Sequence, residues 1–177
     1  MLRPTYDEAL RLAGVLEALA GFDPYVTGTP VLGLDLPASD IDVLCHAPDQ
    51  DAFEVAVRAA FGARDGFSAR RWDDGAAPAV VAVFAAHGWA FEVFGQALPV
   101  AEQVGWRHFA VERRLLALGG AALRGAVLRR RRAGLKTEPA FADVLRLAGD
   151  PYQALLGLEH RTDDALASML AAAASDR

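Results

Sequence analysis

Asp40-Ile41-Asp42-Val43-Leu44-Cys45 is the stretch on which the reading of this chain turns. Its start alternates polar and apolar residues with the period of a strand, so Asp40 and Asp42 project from one face and Ile41 and Val43 from the other. Two carboxylates at i and i+2 stand side by side. Without a cation they repel and at least one takes up a proton, whereas a hard divalent ion resolves the conflict. Oxygen-only ligands favour magnesium, calcium or manganese, and a magnesium ion that also contacts substrate phosphates needs only a sparse protein site of this kind.

Working outward, Tyr25-Val26-Thr27 reads as a short strand running into a loop punctuated by Gly28, Pro30, Gly33 and Pro37. Gly28-Thr29 ends that strand just before the acidic pair, where a glycine lets the backbone approach a ligand and a hydroxyl with nearby amides holds phosphate oxygens. Further upstream, Thr5 and Glu8 have the spacing of a capping box, and Leu10, Ala13, Leu16 and Ala20 recur at helical intervals, predicting a helix over 6–20. Downstream, Phe53, Val57 and Phe61 give an amphipathic helix over 49–61, closed by Gly62. Phe67 to Trp72 reads as an edge strand. Ala79 to Ala85 and Trp89 to Phe94 read as a hairpin turning at His87-Gly88. Glu92 lies mid-strand between apolar Phe91 and Val93, so its side chain points to the opposite side from theirs. It is placed to complete a two-ion clamp with Asp40 and Asp42.

After Gly95 the pattern is helical over 100–118, 121–133, 138–148 and from 151 onward. Asp150-Pro151 with Gln153 is a strong helix start, with Asp as N-cap and Pro at the first helical position. The expected class is α+β: a small mixed β-sheet flanked by helices over residues 1–98, with a helical extension over 99–177 packed on that core.

These residues together resemble the DNA polymerase beta-like nucleotidyltransferase superfamily, whose pattern is a Gly-Ser pair, a spacer, an Asp-x-Asp or Asp-x-Glu strand and a third acid on a neighbouring strand. The run from Thr27 to Cys45, with Phe91 to Gln96, Gln103 to His108 and Gly134 to Leu158, also looks like an uncharacterised bacterial family usually grouped with these enzymes. The resemblance implies that the sheet is of the nucleotidyltransferase type. It implies that Asp40, Asp42 and Glu92 hold two magnesium ions, with manganese the alternative, one on a nucleoside triphosphate and one near the attacking hydroxyl. Gly28 and Thr29 take the triphosphate contact. The reaction implied moves a nucleoside monophosphate with loss of pyrophosphate, by in-line displacement. Thr29 stands in place of the usual serine with Pro30 after it, and Glu92 where aspartate is common; the hydroxyl is kept, and the longer Glu92 bears on the second metal.

Other candidates for nucleotide contact are Ser39, directly before the acidic pair, and Arg107, which shares a helix face with Gln103. Lys136 is a further one, in the turn that opens a helix, where a cation and a helix N-terminus favour anions together. Each has a structural alternative: Thr137 simply caps the helix after Lys136, and Arg107 and Gln103 pack. His108 as general base lacks a placement within hydrogen-bond reach of any acceptor. Cys45 suits a small core position, and Trp72, Trp89 and Trp106 suit packing, although one of them could stack on a base. The run Arg129 to Arg132 points all around a helix axis, as a solvated face does, with substrate or nucleic-acid contact as the functional reading.

Composition bounds the rest. The chain has 177 residues, 53% hydrophobic and 23% charged, enough for one packed core with an extension. A net charge of −5 argues against non-specific coating of nucleic acid and disfavours long nucleic acid as acceptor. The basic residues crowd the region from Arg107 to Lys136, whereas much of the acid precedes residue 75. The single cysteine forms no intrachain disulfide, the start of the chain lacks the marks of a signal peptide, and no apolar run is long enough for a bilayer. A cytoplasmic protein without membrane contact is expected. Three functions compete. The first is metal-dependent nucleotidyl transfer to an unidentified hydroxyl. The second is an inactive nucleotide-binding or regulatory module of the same fold, with a partner or homodimer supplying what the short chain lacks. The third is a metal-dependent phosphohydrolase.

Overall fold

The computed structural model describes residues 3–72 and 77–175. These residues form two compact units. One runs to Val31 and resumes from Pro37 to Trp106; the other comprises Leu32–Leu36 and the chain from Arg107 onward.

The first unit is built on a five-stranded sheet: β1 (Tyr25–Thr27), β2 (Ile41–His46), β3 (Asp65–Trp72), β4 (Ala79–Ala86) and β5 (Trp89–Gln96). The strand order is β1-β2-β5-β4-β3. β2 and β5 are parallel and every other pair is antiparallel, so the sheet is mixed and the class is α+β, as expected. The hairpin from β4 to β5 turns at His87 (φ 51°) and Gly88 (φ 79°). Two successive positive φ values match the twist of the flanking strands.

Strand alternation sorts the side chains. Ile41, Val43, Val80, Ala82, Phe84, Phe91 and Val93 share one face and are buried. Against them pack α1 (Tyr6–Ala13), through Ala9, Leu10 and Ala13, and α4 (Gln50–Phe61), through Phe53, Val57 and Phe61. The rings of Phe61 and Phe84 stack at 4.6 Å and those of Phe84 and Phe91 at 4.9 Å. Each fully buried side chain of this size contributes about 1.5–3 kcal/mol, so this face fixes the register of the sheet. The opposite face carries the acids.

Several local expectations change. The helix expected over 6–20 breaks at Gly14, which is left-handed (φ 69°) and ends α1; a short α2 (Val15–Ala18) and a 3-10 turn (Ala20–Phe22) follow. Helical periodicity on both sides hid a glycine that the chain uses as a C-cap. The loop after β1 opens with a helical turn, α3 (Thr29–Leu32). The helices expected over 100–118 and 121–133 are both present as the two stretches of α5 (Val104–Arg132), which meet at a kink, but the first starts later, after a 3-10 turn at Val100–Glu102. Inside α5, Gly120 adopts φ 57° and ψ −150°, a conformation essentially reserved for glycine, where the two expected helices were to meet.

In the second unit, α5 is followed by α6 (Thr137–Leu145), α7 (Pro151–Leu156) and α8 (Asp163–Ser175). The single helix expected from 151 is thus two, divided by turns over 157–162. Asp150 caps α7 by accepting from the Gln153 amide at 2.9 Å. Leu115, Phe141, Leu155 and Leu166 are buried there. Arg107 holds Glu159 in a forked ion pair, Nη2 to Oε2 at 2.6 Å, and Arg114 holds Asp163 at 2.5 Å. Among the described residues no helix is long and apolar enough to cross a membrane.

Candidate active site

β2 and β5 are local consequences of alternation, but the meeting of their acids follows from register. Asp42 lies directly opposite Glu92 in the parallel pair, and Thr27 of β1 lies opposite Asp42 on the other side. The same row continues through Val83 of β4 to Ser68 of β3. Because Ile41, Val43, Phe91 and Val93 are all buried on the helix-covered face, the row's side chains stand on the other one. Asp42 and Glu92 are partly buried, and Asp40, immediately before the strand, is exposed.

Gly28 follows Thr27 in the left-handed region, φ 82°. A Cβ at this position would collide with the Asp42 carboxylate and stand 3.0 Å from its Cγ. The missing side chain therefore makes room for the Asp42 oxygen beside the turn. Thr29, next in the chain, donates from Oγ1 to Ser39 Oγ at 3.1 Å, tying the two ends of the spacer together just before the acidic strand.

The electrostatics of Glu92 report its surroundings. Burial, and next the negative charge of Asp40, push its carboxyl above the usual carboxylate range, and Arg70 pulls it part of the way back. Arg70 was not singled out from the sequence. It lies on β3 in the row of Val81, Phe94 and Leu44, on the same face as Glu92. The alternation of β3, with Phe67 and Ala69 partly buried and Ser68 and Arg70 exposed, was the available signal.

The donors are carboxylate oxygens, and their mutual repulsion, the elevated Glu92 and the space left by Gly28 fit a hard divalent ion that takes its remaining ligands from water and phosphate. They do not make a protein cage: among the described residues no group of three or more His, Cys, Asp or Glu side chains is arranged to hold a metal ion.

The remaining candidates fall elsewhere. Gln103 is 1% exposed and donates from Nε2 to the carbonyls of Cys45 and Leu98, both at 2.9 Å, so it clamps backbone rather than facing a ligand. Arg107 and Lys136 belong to the second unit, the former engaged by Glu159 and the latter exposed as the N-cap residue of α6, with Thr137 the first helical residue. His108 is buried, with Nε2 3.1 Å from the Tyr152 carbonyl. The Cys45 thiol is buried and its pKa pushed up to about 12, that of an inert core group. Trp89 donates to the Pro4 carbonyl beneath the Arg3 guanidinium, and Trp106 meets Tyr25 edge-on; Trp72 is partly exposed against Phe94.

A family model described as "Domain of unknown function (DUF4269)" matches residues 8–158. No curated protein matches the chain. Among solved structures, the GLD-2/RNP-8 complex is similar at 12% identity and a TM-score of 0.53, covering 90% of this chain and 72% of that one. The Cid1 poly(U) polymerase bound to Mg 3′-dATP is similar at 14% identity and a TM-score of 0.52, covering 86% of this chain and 49% of that one. A further Cid1 structure, described for its RNA terminal uridylyl transferase activity, is similar at 15% identity and a TM-score of 0.51, covering 82% and 44%. The chain thus spans less than half the length of the Cid1 chains. The likeness is one of fold: the five-stranded mixed sheet with its helices is nucleotidyltransferase-like.

Proposed function

For a chain that belongs to the DUF4269 family, we propose metal-dependent transfer of a nucleoside monophosphate from a nucleoside triphosphate to an acceptor hydroxyl. The observation that carries this reading is the register of Asp42 opposite Glu92 on adjacent parallel strands, with Gly28 turned against Asp42. In the proposed reaction the acceptor hydroxyl gives up its proton to solvent and its oxygen bonds to the α-phosphorus, while the bond from that phosphorus to the bridging oxygen breaks and pyrophosphate leaves with the electron pair. Asp42 and Glu92, with Asp40 beside them, hold the cation. The backbone at Gly28 comes close to the triphosphate, and the Thr29 and Ser39 hydroxyls orient its oxygens. Magnesium bound here supplies positive charge to the entering and leaving oxygens of an in-line displacement. The proposal uses first-unit residues alone.

A second reading is a nucleotide-binding module without turnover. It keeps the register of Asp42 with Glu92 and the close approach of Gly28 to Asp42, and asks only that a nucleotide be held there. Thermal shift of the wild type and Asp42→Asn with each nucleoside triphosphate, with and without magnesium, tests both. A ligand at a hundredfold excess over its Kd stabilises by about 2.7 kcal/mol. The expected result is a magnesium-dependent shift lost in the variant, accompanied by pyrophosphate release once an acceptor hydroxyl is present. Stoichiometric binding without consumption selects the module, and no shift with any nucleotide removes the nucleotide site altogether.

A further inference from the structure

The open face of the sheet is apolar at positions where a face left to water carries polar residues. In the row of Asp42 and Glu92 the β4 position is Val83, 37% exposed although its strand lies inside the sheet. In the next row Phe94 is half-buried, Val81 is buried and Arg70 on β3 is exposed. Trp72, 39% exposed, stands one row further along β3 and meets Phe94 edge-on, ring centroids 6.2 Å apart. An apolar shelf thus begins at Glu92 and ends at a guanidinium and an indole. All of it belongs to the first unit.

The two arginines of β3 differ. Arg71 turns to the helix-covered side, where Asp51 and Glu54 of α4 hold it. Arg70 stands on the open side and makes no hydrogen bond or ion pair among the described residues. Its charge is felt at Glu92, across the shelf.

On the nucleotidyl-transfer reading, on which this inference rests, the triphosphate lies against Gly28 and Thr29, at the β1 side of Asp42. An in-line displacement puts the entering oxygen on the side of the phosphorus opposite the leaving pyrophosphate. With the order β1-β2-β5-β4-β3, that is the side of Val83 and Arg70. Two strand spacings separate Glu92 from Arg70, about 10 Å, which one ring with a group at each end can span. Carboxylates at one end and a guanidinium at the other orient such a molecule: a reversed pose would bring its anion against the acids. The guanidinium fork matches the paired oxygens of a phosphate or a carboxylate.

We propose that the shelf from Glu92 to Arg70 seats the acceptor, and that the acceptor is a small, flat hydroxy compound carrying an oxyanion, phosphate or carboxylate, which Arg70 binds. The step is the one already written: the hydroxyl proton goes to solvent, its oxygen bonds to the α-phosphorus and pyrophosphate leaves. The acceptor's own anion takes no part in it, and Arg70 determines specificity.

The test is calorimetric titration of the full chain in magnesium, with and without a nucleoside triphosphate analogue whose α–β bridge is methylene. The probes share one ring and one hydroxyl: para-(hydroxymethyl)phenyl phosphate, para-(hydroxymethyl)benzoate, neutral para-methoxybenzyl alcohol and cationic para-(aminomethyl)benzyl alcohol. With the analogue bound, at least one anionic probe binds saturably, and the neutral and cationic probes bind about tenfold more weakly or worse. Arg70→Gln abolishes that preference. Arg70→Glu turns it toward the cation, a gain that an unfolded variant cannot show. Arg11→Gln, an exposed position on α1 at the covered side, changes neither. Tighter binding of the phosphate identifies a phosphorylated acceptor, and tighter binding of the benzoate a carboxylic acid. Absence of saturable binding of both anions in the millimolar range, or anion binding indifferent to both Arg70 variants, overturns the proposal. So does a trinucleotide bound more tightly than either anion, which would make the shelf a seat for nucleic acid. If the analogue itself does not bind, the transfer reading fails separately; Arg70-dependent anion binding in magnesium alone would still uphold the oxyanion seat.

Discussion

Gly28 and Asp42 stand closer than any side chain at position 28 would permit: a Cβ there would meet the Asp42 carboxylate and lie 3.0 Å from Cγ. Gly28→Ala therefore carries two penalties. One is the left-handed backbone, φ 82°, which costs a non-glycine residue about 1–2 kcal/mol. The other is displacement of the Asp42 oxygen. Gly66→Ala isolates the first, since Gly66 has φ 65° and nothing within 4 Å of the added atom. Thermal melts should show Gly28→Ala less stable than Gly66→Ala, and only Gly28→Ala should lose the magnesium-dependent response to nucleotide. Equal behaviour of the two would mean that Asp42 yields freely and that the close approach has no role at the site.

Glu92 gives the site a pH signature. Its carboxyl is raised by burial and then by Asp40, against Arg70, so the folded protein binds that proton more tightly than the unfolded chain. The associated stability is full below the unfolded value and is lost as pH rises through the folded one. Ionisation of Glu92 in the folded protein works against burial and the Asp40 charge, and Glu92→Gln removes that cost. Without metal the variant should melt higher at pH 7, on the order of 1 kcal/mol or about 2–4 °C. The gap should close toward about pH 4, where the unfolded carboxyl is itself protonated. Magnesium with nucleotide should reverse the order, stabilising only the wild type. A lower Tm for Glu92→Gln at pH 7 without metal would point to a favourable partner for the anion.

The elements that carry the acids were legible because alternation is local: Asp40 to Cys45 and Phe91 to Val93 each announce a strand and its two faces. The opposition of Asp42 and Glu92 was not, because 50 positions separate the two acids and the parallel pairing of β2 with β5 leaves no local mark. Arg70 was overlooked for the same reason: its approach to Glu92 depends on the order β5-β4-β3. The hairpin at His87-Gly88 was legible from turn chemistry. The break at Gly14 was not, since apolar spacing continues across it while the glycine turns left-handed. Helical spacing left Gln103 open between ligand contact and a structural role; residues 100–103 form a 3-10 turn and an extended step before α5, and its amide turns inward to backbone carbonyls.

Gln103 supports the end of β2 and the chain before α5 at once, by donating to the carbonyls of Cys45 and Leu98. Gln103→Met keeps much of the volume but leaves the buried Cys45 carbonyl and the part-buried Leu98 carbonyl without their donor. The expected loss is about 1–3 kcal/mol per group left unpaired, read as a lower denaturation midpoint. The magnesium-dependent nucleotide response should survive at temperatures where the variant is folded. Loss of that response with unchanged stability would put Gln103 at the ligand after all.

Glu112 lies on α5 in the second unit, 5% exposed, with Oε1 unpartnered among the described residues. Burial raises its carboxyl well above the ordinary value. The charge of Glu138 adds to the rise and that of Arg131 opposes it. The sign follows as for Glu92, and more strongly: stability is greatest in acid and declines as pH rises through the raised folded value. Glu112→Gln keeps the shape and removes the charge, so denaturant titration at pH 8 should show it more stable than the wild type by on the order of 1–3 kcal/mol. The difference should shrink steadily as pH is lowered, because the wild-type side chain becomes neutral too. Glu112→Leu separates charge from hydrogen bonding: it should share the gain at pH 8 if desolvation of the anion dominates. If both variants are destabilised at pH 8, the ionised carboxylate is instead held by Arg131, and its charge is part of what keeps the second unit together.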